Sequence, residues 1–119
     1  QGVPPGKLLL GIPVYGRSFL GCSRPGQCYE CTGGEDGVYD YKDLPRPGTK
    51  EVVDKTAVAA YCVGGDGGFV SYDTPETVRV KARFVTKERL AGLFYWHGPA
   101  DASGERSLVE TGYRALHEL

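Results

Sequence analysis

Two unbroken apolar runs stand near the ends of the chain, and a stretch rich in Gly, Cys, Asp, Tyr and Pro lies between them. The first run is Lys7-Leu8-Leu9-Leu10-Gly11-Ile12-Pro13-Val14-Tyr15, ended by Gly16-Arg17. The second is Leu90-Ala91-Gly92-Leu93-Phe94-Tyr95-Trp96. Short runs that are apolar on both faces predict strands buried in a parallel sheet. Pro13 cannot donate to a ladder, so it marks a strand end or an irregular exit. Gly68-Phe69-Val70-Ser71-Tyr72 reads as a further short strand.

Helical spacing appears twice. Thr74 is placed as an N-cap, with Pro75 at the first helical position and Glu76 in the positive first turn. Val78, Ala82, Val85 and Arg89 recur on one face, which predicts a helix over 75–88. Ser107-x-x-Glu110 has the form of a capping box and opens a last helix to about residue 118. Leu108, Gly112, Ala115, Leu116 and Leu119 share a face of it. Residues 98–104 form a loop. In residues 18–68, pieces such as Val38–Tyr41 and Ala57–Tyr61 are separated by turn signals, which predicts a small antiparallel β element with one short helical turn. The order is strand, small β insert, helix, strand, helix. Outside the insert this is a βαβα unit, so the fold class is α/β plus α+β. Two parallel strands alone make a poor sheet, and the rest is expected from sequence outside this chain or from a second copy.

Composition narrows the classes. The 119 residues carry 14 Lys plus Arg against 15 Asp plus Glu, without the basic excess of a nucleic-acid binder. No apolar run approaches the roughly 18–20 residues of a membrane span, so no membrane partner is expected. The chain contains no Met and opens on a loop, Gln1–Gly6, which suits a processed or excised segment. Three of the four cysteines, Cys22, Cys28 and Cys31, crowd together, and Cys62 stands apart. The even count favours two disulfides in a secreted protein, with a pairing that sequence cannot assign. Cys28-x-x-Cys31 also has zinc-ligand spacing, but a structural zinc site usually presents two close pairs, and no His lies near any cysteine.

One stretch is more specific. Lys7-Leu-Leu-Leu-Gly-Ile-Pro-Val-Tyr-Gly-Arg-Ser-Phe19 resembles the seventh barrel strand of family 18 glycoside hydrolases, the chitinases. Val70-Ser-Tyr-Asp-Thr-Pro-Glu76 is similar to the opening of that family's seventh helix. Leu90–Trp96 resembles its eighth strand, which ends in a tryptophan. The cysteine-bearing insert looks most like secreted fungal members. The resemblance implies a partial TIM barrel, its last two βα units, carrying a small antiparallel α+β insertion domain. It divides the chain into barrel strand seven (1–17), insertion domain (18–68), and helix seven, strand eight and last helix (69–119).

The same resemblance implies a chemistry. Family 18 enzymes are the substrate-assisted exception among retaining glycosidases, with the sugar's own N-acetyl oxygen attacking the anomeric carbon. Their acid closes an Asp-x-x-Asp-x-Asp-x-Glu signature that this chain lacks. Asp36-Gly-Val-Tyr-Asp40-Tyr-Lys-Asp43 has the wrong spacing and reads as a solvated loop and strand edge. No catalytic residue is therefore expected here, and no cofactor. Trp96 is matched to the tryptophan that floors the subsite of the cleaved sugar. Tyr15 and Arg17 are expected on the same rim as substrate contacts, and Glu35 as a wall of the cleft. His97 could face the cleft; Tyr39, Tyr41 and Tyr61 could widen it or pack the core; His117 is expected to be inert. The expected parent is a secreted chitinase acting on chitin or chitooligosaccharides. A chitinase-like lectin would share every one of these residues. A free-standing disulfide-stapled domain would instead show its own closed core, whereas a fragment would show open strand edges and a tendency to self-associate.

Overall fold

A computed structural model describes residues 2–118; Gln1 and Leu119, the latter expected on the last helix, lie outside the described residues. The fold is mixed α/β and is built on two sheets. β1 (Leu9–Pro13) pairs in parallel with β7 (Gly92–Trp96), in a register running from Leu9 opposite Gly92 to Pro13 opposite Trp96. The second sheet is five-stranded, antiparallel at each pairing, and ordered β3-β2-β6-β5-β4. Its strands are β2 (Tyr15–Phe19), β3 (Val38–Asp40), β4 (Glu51–Asp54), β5 (Ala59–Gly65) and β6 (Gly68–Tyr72). A single turn of 3-10 helix, Tyr41–Asp43, follows β3. The exchange between the sheets falls at Val14 and again after Tyr72, not at residues 17 and 68. Tyr15 and Arg17 thus belong to the antiparallel sheet. Pro13 ends β1, as its missing donor requires.

The parallel pair is covered on one side only. Ile12, Leu93 and Tyr95 turn into the core, while Leu9 is 54% exposed and Phe94 50% exposed. The apolar runs had predicted burial on both faces. Here the helices cover one face, and nothing among the described residues covers the other. Phe94 lies across Gly11 so closely that a Cβ there would come within 2.8 Å of its ring.

α1 (Pro75–Lys87) starts as expected: the Thr74 side chain accepts from the backbone N–H of Thr77, and the Thr77 hydroxyl accepts in return from the N–H of Thr74. Thr77, Val78, Ala82 and Val85 form its buried face. Arg89 does not continue that face. It adopts φ of 55°, its N–H donates to the carbonyl of Thr86, and the N–H of Leu90 donates to Val85. This is a Schellman ending with Arg where Gly is usual.

α2 (Leu108–His117) departs from its expected cap. Ser107 does accept from the N–H of Glu110 at 3.0 Å, but the Glu110 side chain binds Arg114 and never reaches back. Asp101 supplies a different second cap. Its carboxylate accepts from the Ser107 hydroxyl (2.7 Å) and from the N–H groups of Leu108 (2.8 Å) and Val109 (3.1 Å). A carboxylate in that place meets both the orphan donors and the positive end of the helix.

One core serves both sheets. Ile12, Leu93 and Tyr95 of the parallel pair, Cys62, Val70 and Tyr72 of the antiparallel sheet, Tyr41 and Leu44 of the turn region, Val78 of α1 and Leu108 of α2 all belong to it. A polar strut runs along its edge. The Tyr41 hydroxyl donates to the carbonyl of Arg106 at 2.7 Å, and Arg106 pairs with Glu51 at 3.0 Å. Glu51 in turn accepts from the Tyr72 hydroxyl at 2.8 Å. Burial pushes the Tyr41 phenol up to about 12. Burial, and the hydrogen bond to the Glu51 carboxylate, also raise the Tyr72 phenol.

Two outcomes follow. Gly112 of α2 passes against β7, where a Cβ would collide with the Tyr95 hydroxyl and come within 3.0 Å of Leu93. Gly112→Ala should therefore destabilise by about 1–2 kcal/mol in thermal or urea melts, despite the helix propensity of Ala. The raised phenols bind their protons more tightly when folded than at the unfolded value of about 10. Stability from Tyr41 is thus complete below pH about 10 and is lost as pH rises toward about 12. Urea melts at stepped alkaline pH, with phenolate absorbance read in parallel, would show the loss in that window and a shallower one in Tyr41→Phe.

Candidate functional site

Trp96 ends β7 at the carboxyl end of the parallel pair and is 67% exposed. Val14 brings β2 to it. The Val14 N–H donates to the carbonyl of Trp96 at 2.7 Å, so Tyr15 starts β2 beside the tryptophan. Strand alternation then puts Tyr15 and Arg17 on one face of β2. On β3, Asp40 stands opposite Tyr15 and Val38 opposite Arg17. The Arg17 guanidinium lies 5.5 Å from the centre of the Tyr15 ring. These residues, with Val14, Ala100 and His97, line a cleft of about 240 Å³. The Lys42 ammonium donates to the carbonyl of Pro99 at 3.1 Å and so links the turn after β3 to the loop after β7. Tyr15 and Arg17 also border a neighbouring depression of about 400 Å³, shared with Pro13, Ser71 and Lys81.

The polar group of that neighbouring depression is already committed. Asp73 is buried, and its carboxylate accepts from the Thr77 hydroxyl at 2.7 Å and from the Lys81 ammonium at 2.6 Å. It reads as an ion pair that holds the start of α1. In the cleft beside Trp96 the groups are free to meet a ligand. An indole and a phenol offer apolar faces, Arg17 and the Tyr15 hydroxyl offer donors, and Asp40 offers a carboxylate. Such a lining suits a ring with apolar C–H faces and hydroxyls at its edge. It does not assemble the pair of carboxylates that most glycosidases need.

Three of the four expected site residues come together: Trp96, Tyr15 and Arg17. Glu35 does not join them. It sits, exposed, in the turn before β3, where Asp36 and Gly37 take φ of 53° and 79° and the Val38 N–H closes on its carbonyl. That tight turn leaves Glu35 outside the cleft that Val38 and Asp40 line. Asp40, read from sequence as a solvated edge, is on the cleft instead, and His97 lines it too. The other tyrosines pack: Tyr41 is in the core, Tyr61 stacks on Phe69 at 5.1 Å, and Tyr39 lies under the Arg46 guanidinium at 4.5 Å. His117 is exposed on the last helix, its ring against the carbonyl of Tyr113.

The expected disulfides are not formed; Cys22, Cys28, Cys31 and Cys62 are all free thiols. Cys62 is buried on β5 opposite Val70, inside the core and away from solvent, whereas Cys28 and Cys31 are exposed. The Cys22 thiol turns onto the carbonyl of Arg24 at 3.0 Å. No group of three or more His, Cys, Asp or Glu able to hold a metal ion occurs among the described residues. No helix among them is long and apolar enough to cross a membrane.

Comparison with known proteins places this geometry. Residues 1–101 match the family of glycosyl hydrolases family 18. Chitinase 1 of Aphanocladium album is 34% identical over 119 residues, covering 97% of this chain and 28% of its own length. Sporulation-specific chitinase 2 of Saccharomyces cerevisiae is 34% identical over 140 residues, covering 98% of this chain and 27% of its own length. Among solved structures, a plant class V chitinase mutant from Cycas revoluta, in complex with (GlcNAc)3, superposes with a TM-score of 0.84 at 32% identity. The match covers 96% of this chain and 35% of that one. The chain thus spans about a quarter of the length of these curated relatives.

Proposed function

The chain belongs to glycosyl hydrolases family 18, and we propose that it forms the substrate-binding part of a secreted chitinase that acts on β-1,4-linked N-acetylglucosamine polymers. In this reading β1 and β7 are the last two strands of a TIM barrel, with α1 and α2 as their helices. The antiparallel sheet is the small domain inserted between them. The supporting observation is the convergence of Trp96, Tyr15 and Arg17 on one cleft, at the carboxyl ends of parallel strands, where barrel enzymes place their sites.

The residues divide the work. The Trp96 indole stacks against the C–H face of one sugar and sets its tilt. The Tyr15 hydroxyl and the Arg17 guanidinium bind hydroxyl or acetamido oxygens at the sugar's edge. Hydrolysis then proceeds by attack of the sugar's own N-acetyl oxygen, and the proton for the leaving oxygen comes from an acid on a part of the barrel this chain does not include. The 119 residues alone therefore bind without cleaving. A lectin of the same build would differ at that acid, not in this cleft, and the named relatives described above are chitinases.

The single tryptophan makes the test direct. Titration with N-acetylchitotriose should change the emission of Trp96 saturably, with a dissociation constant of order 0.1–1 mM. Calorimetry on Trp96→Ala should show at least about a ten-fold loss, in keeping with an aromatic anchor. The chain should release no product from the same sugar. No response at 10 mM ligand, or equal affinity in Trp96→Ala, would remove the reading.

A further inference from the structure

We infer that Asp40 is the hydrogen-bond acceptor of this cleft and a determinant of what it binds, an inference that rests on the carbohydrate-binding reading above. Among the other polar side chains that line the cleft, Arg17 and the indole donate only, and the Tyr15 hydroxyl and the neutral His97 ring each offer a donor beside a weaker, uncharged acceptor. A sugar carries hydroxyls, and an N-acetyl sugar an amide N–H, that must themselves donate when they leave water. Asp40 is the one carboxylate that lines the cleft among the described residues.

Its position is set by register. Asp40 faces Tyr15 across the β2–β3 ladder, and Val38 faces Arg17, so one surface presents carboxylate, phenol and guanidinium side by side. Asp40 and Arg17 nevertheless do not pair with each other; the ion pair of Asp40 is with Lys42, at 4.0 Å. That contact is loose, and the Lys42 ammonium already donates to Pro99 at 3.1 Å. Nor does Asp40 serve the fold. It precedes the 3-10 turn Tyr41–Asp43, yet its side chain makes no capping bond there. A half-exposed carboxylate with no structural duty, set between an exposed indole and an unpaired guanidinium, is free to receive a ligand's donors. The guanidinium and the carboxylate together leave the cleft close to neutral. That favours an uncharged ligand offering donors and acceptors at once, such as an N-acetylated sugar, over an acidic one.

Tryptophan emission with N-acetylchitotriose tests this in the intact 119-residue chain. Asp40→Ala should weaken binding by about ten-fold, the range for a hydrogen bond to a charged group, and Asp40→Asn by less. Asp36→Asn, on the exposed turn, should leave affinity unchanged, and the thermal midpoints of the Asp40 variants should match the parent's. Glucuronic acid oligomers at equal concentration should not bind the parent chain. If Arg17→Ala weakens binding but Asp40→Ala stays within two-fold of the parent, Asp40 is not an acceptor and only this inference falls. If the parent chain itself gives no response, the carbohydrate-binding reading falls and takes this inference with it.

Discussion

Both backbone groups of Val14 are committed, one to the parallel pair and one to the turn that follows β3. Its N–H donates to Trp96 on the parallel pair, and its carbonyl accepts from Tyr41 beyond β3. The side chain is fully buried in the core the two sheets share. A backbone group left unpaired at that depth would cost about 1–3 kcal/mol, so neither bond is dispensable. Everything in the cleft depends on this junction. It sets where β2 begins, and strand alternation then decides that Tyr15 and Arg17, rather than Gly16 and Ser18, line the cleft with the indole. The floor of the site comes from one sheet and its wall from the other, and the bend at Val14 joins the two strands that carry them.

What the sequence showed and what it hid separate by the range of the interactions. Apolar runs placed β1, β6 and β7, and caps at Thr74 and Ser107 placed both helices, because those signals lie within a few residues. β4 escaped because only Val52 and Val53 mark it, and its partner is β5 alone at the sheet edge. Arg89 looked like a helix-face residue because its spacing fits; only the geometry shows it bent back into the left-handed region. Asp101 escaped as a cap because it lies beyond the local capping pattern. Asp40 escaped because its place depends on register with a strand far back in the chain. Trp96, Tyr15 and Arg17 were legible through the family resemblance, whose motif ends on the rim itself. Glu35 was not, since it sits in a turn whose path no motif dictates.

The open face of the parallel pair fits the partial span of the chain. Leu9 and Phe94 stand exposed on the side away from the helices, where doubly covered parallel strands would be expected. The antiparallel sheet has no such need, because its inward side chains meet the helices and the parallel pair in one continuous core.

That continuity has a consequence for recognition. A cleft made between two independently mobile bodies would have to close on its ligand and would lose conformational freedom in doing so. Here Tyr41, Arg106, Glu51 and Tyr72 brace one body against the other through consecutive hydrogen bonds. These bonds tie the aromatic platform to the rim, so in the proposed reading selectivity rests on fit at that spacing more than on adaptation to each guest.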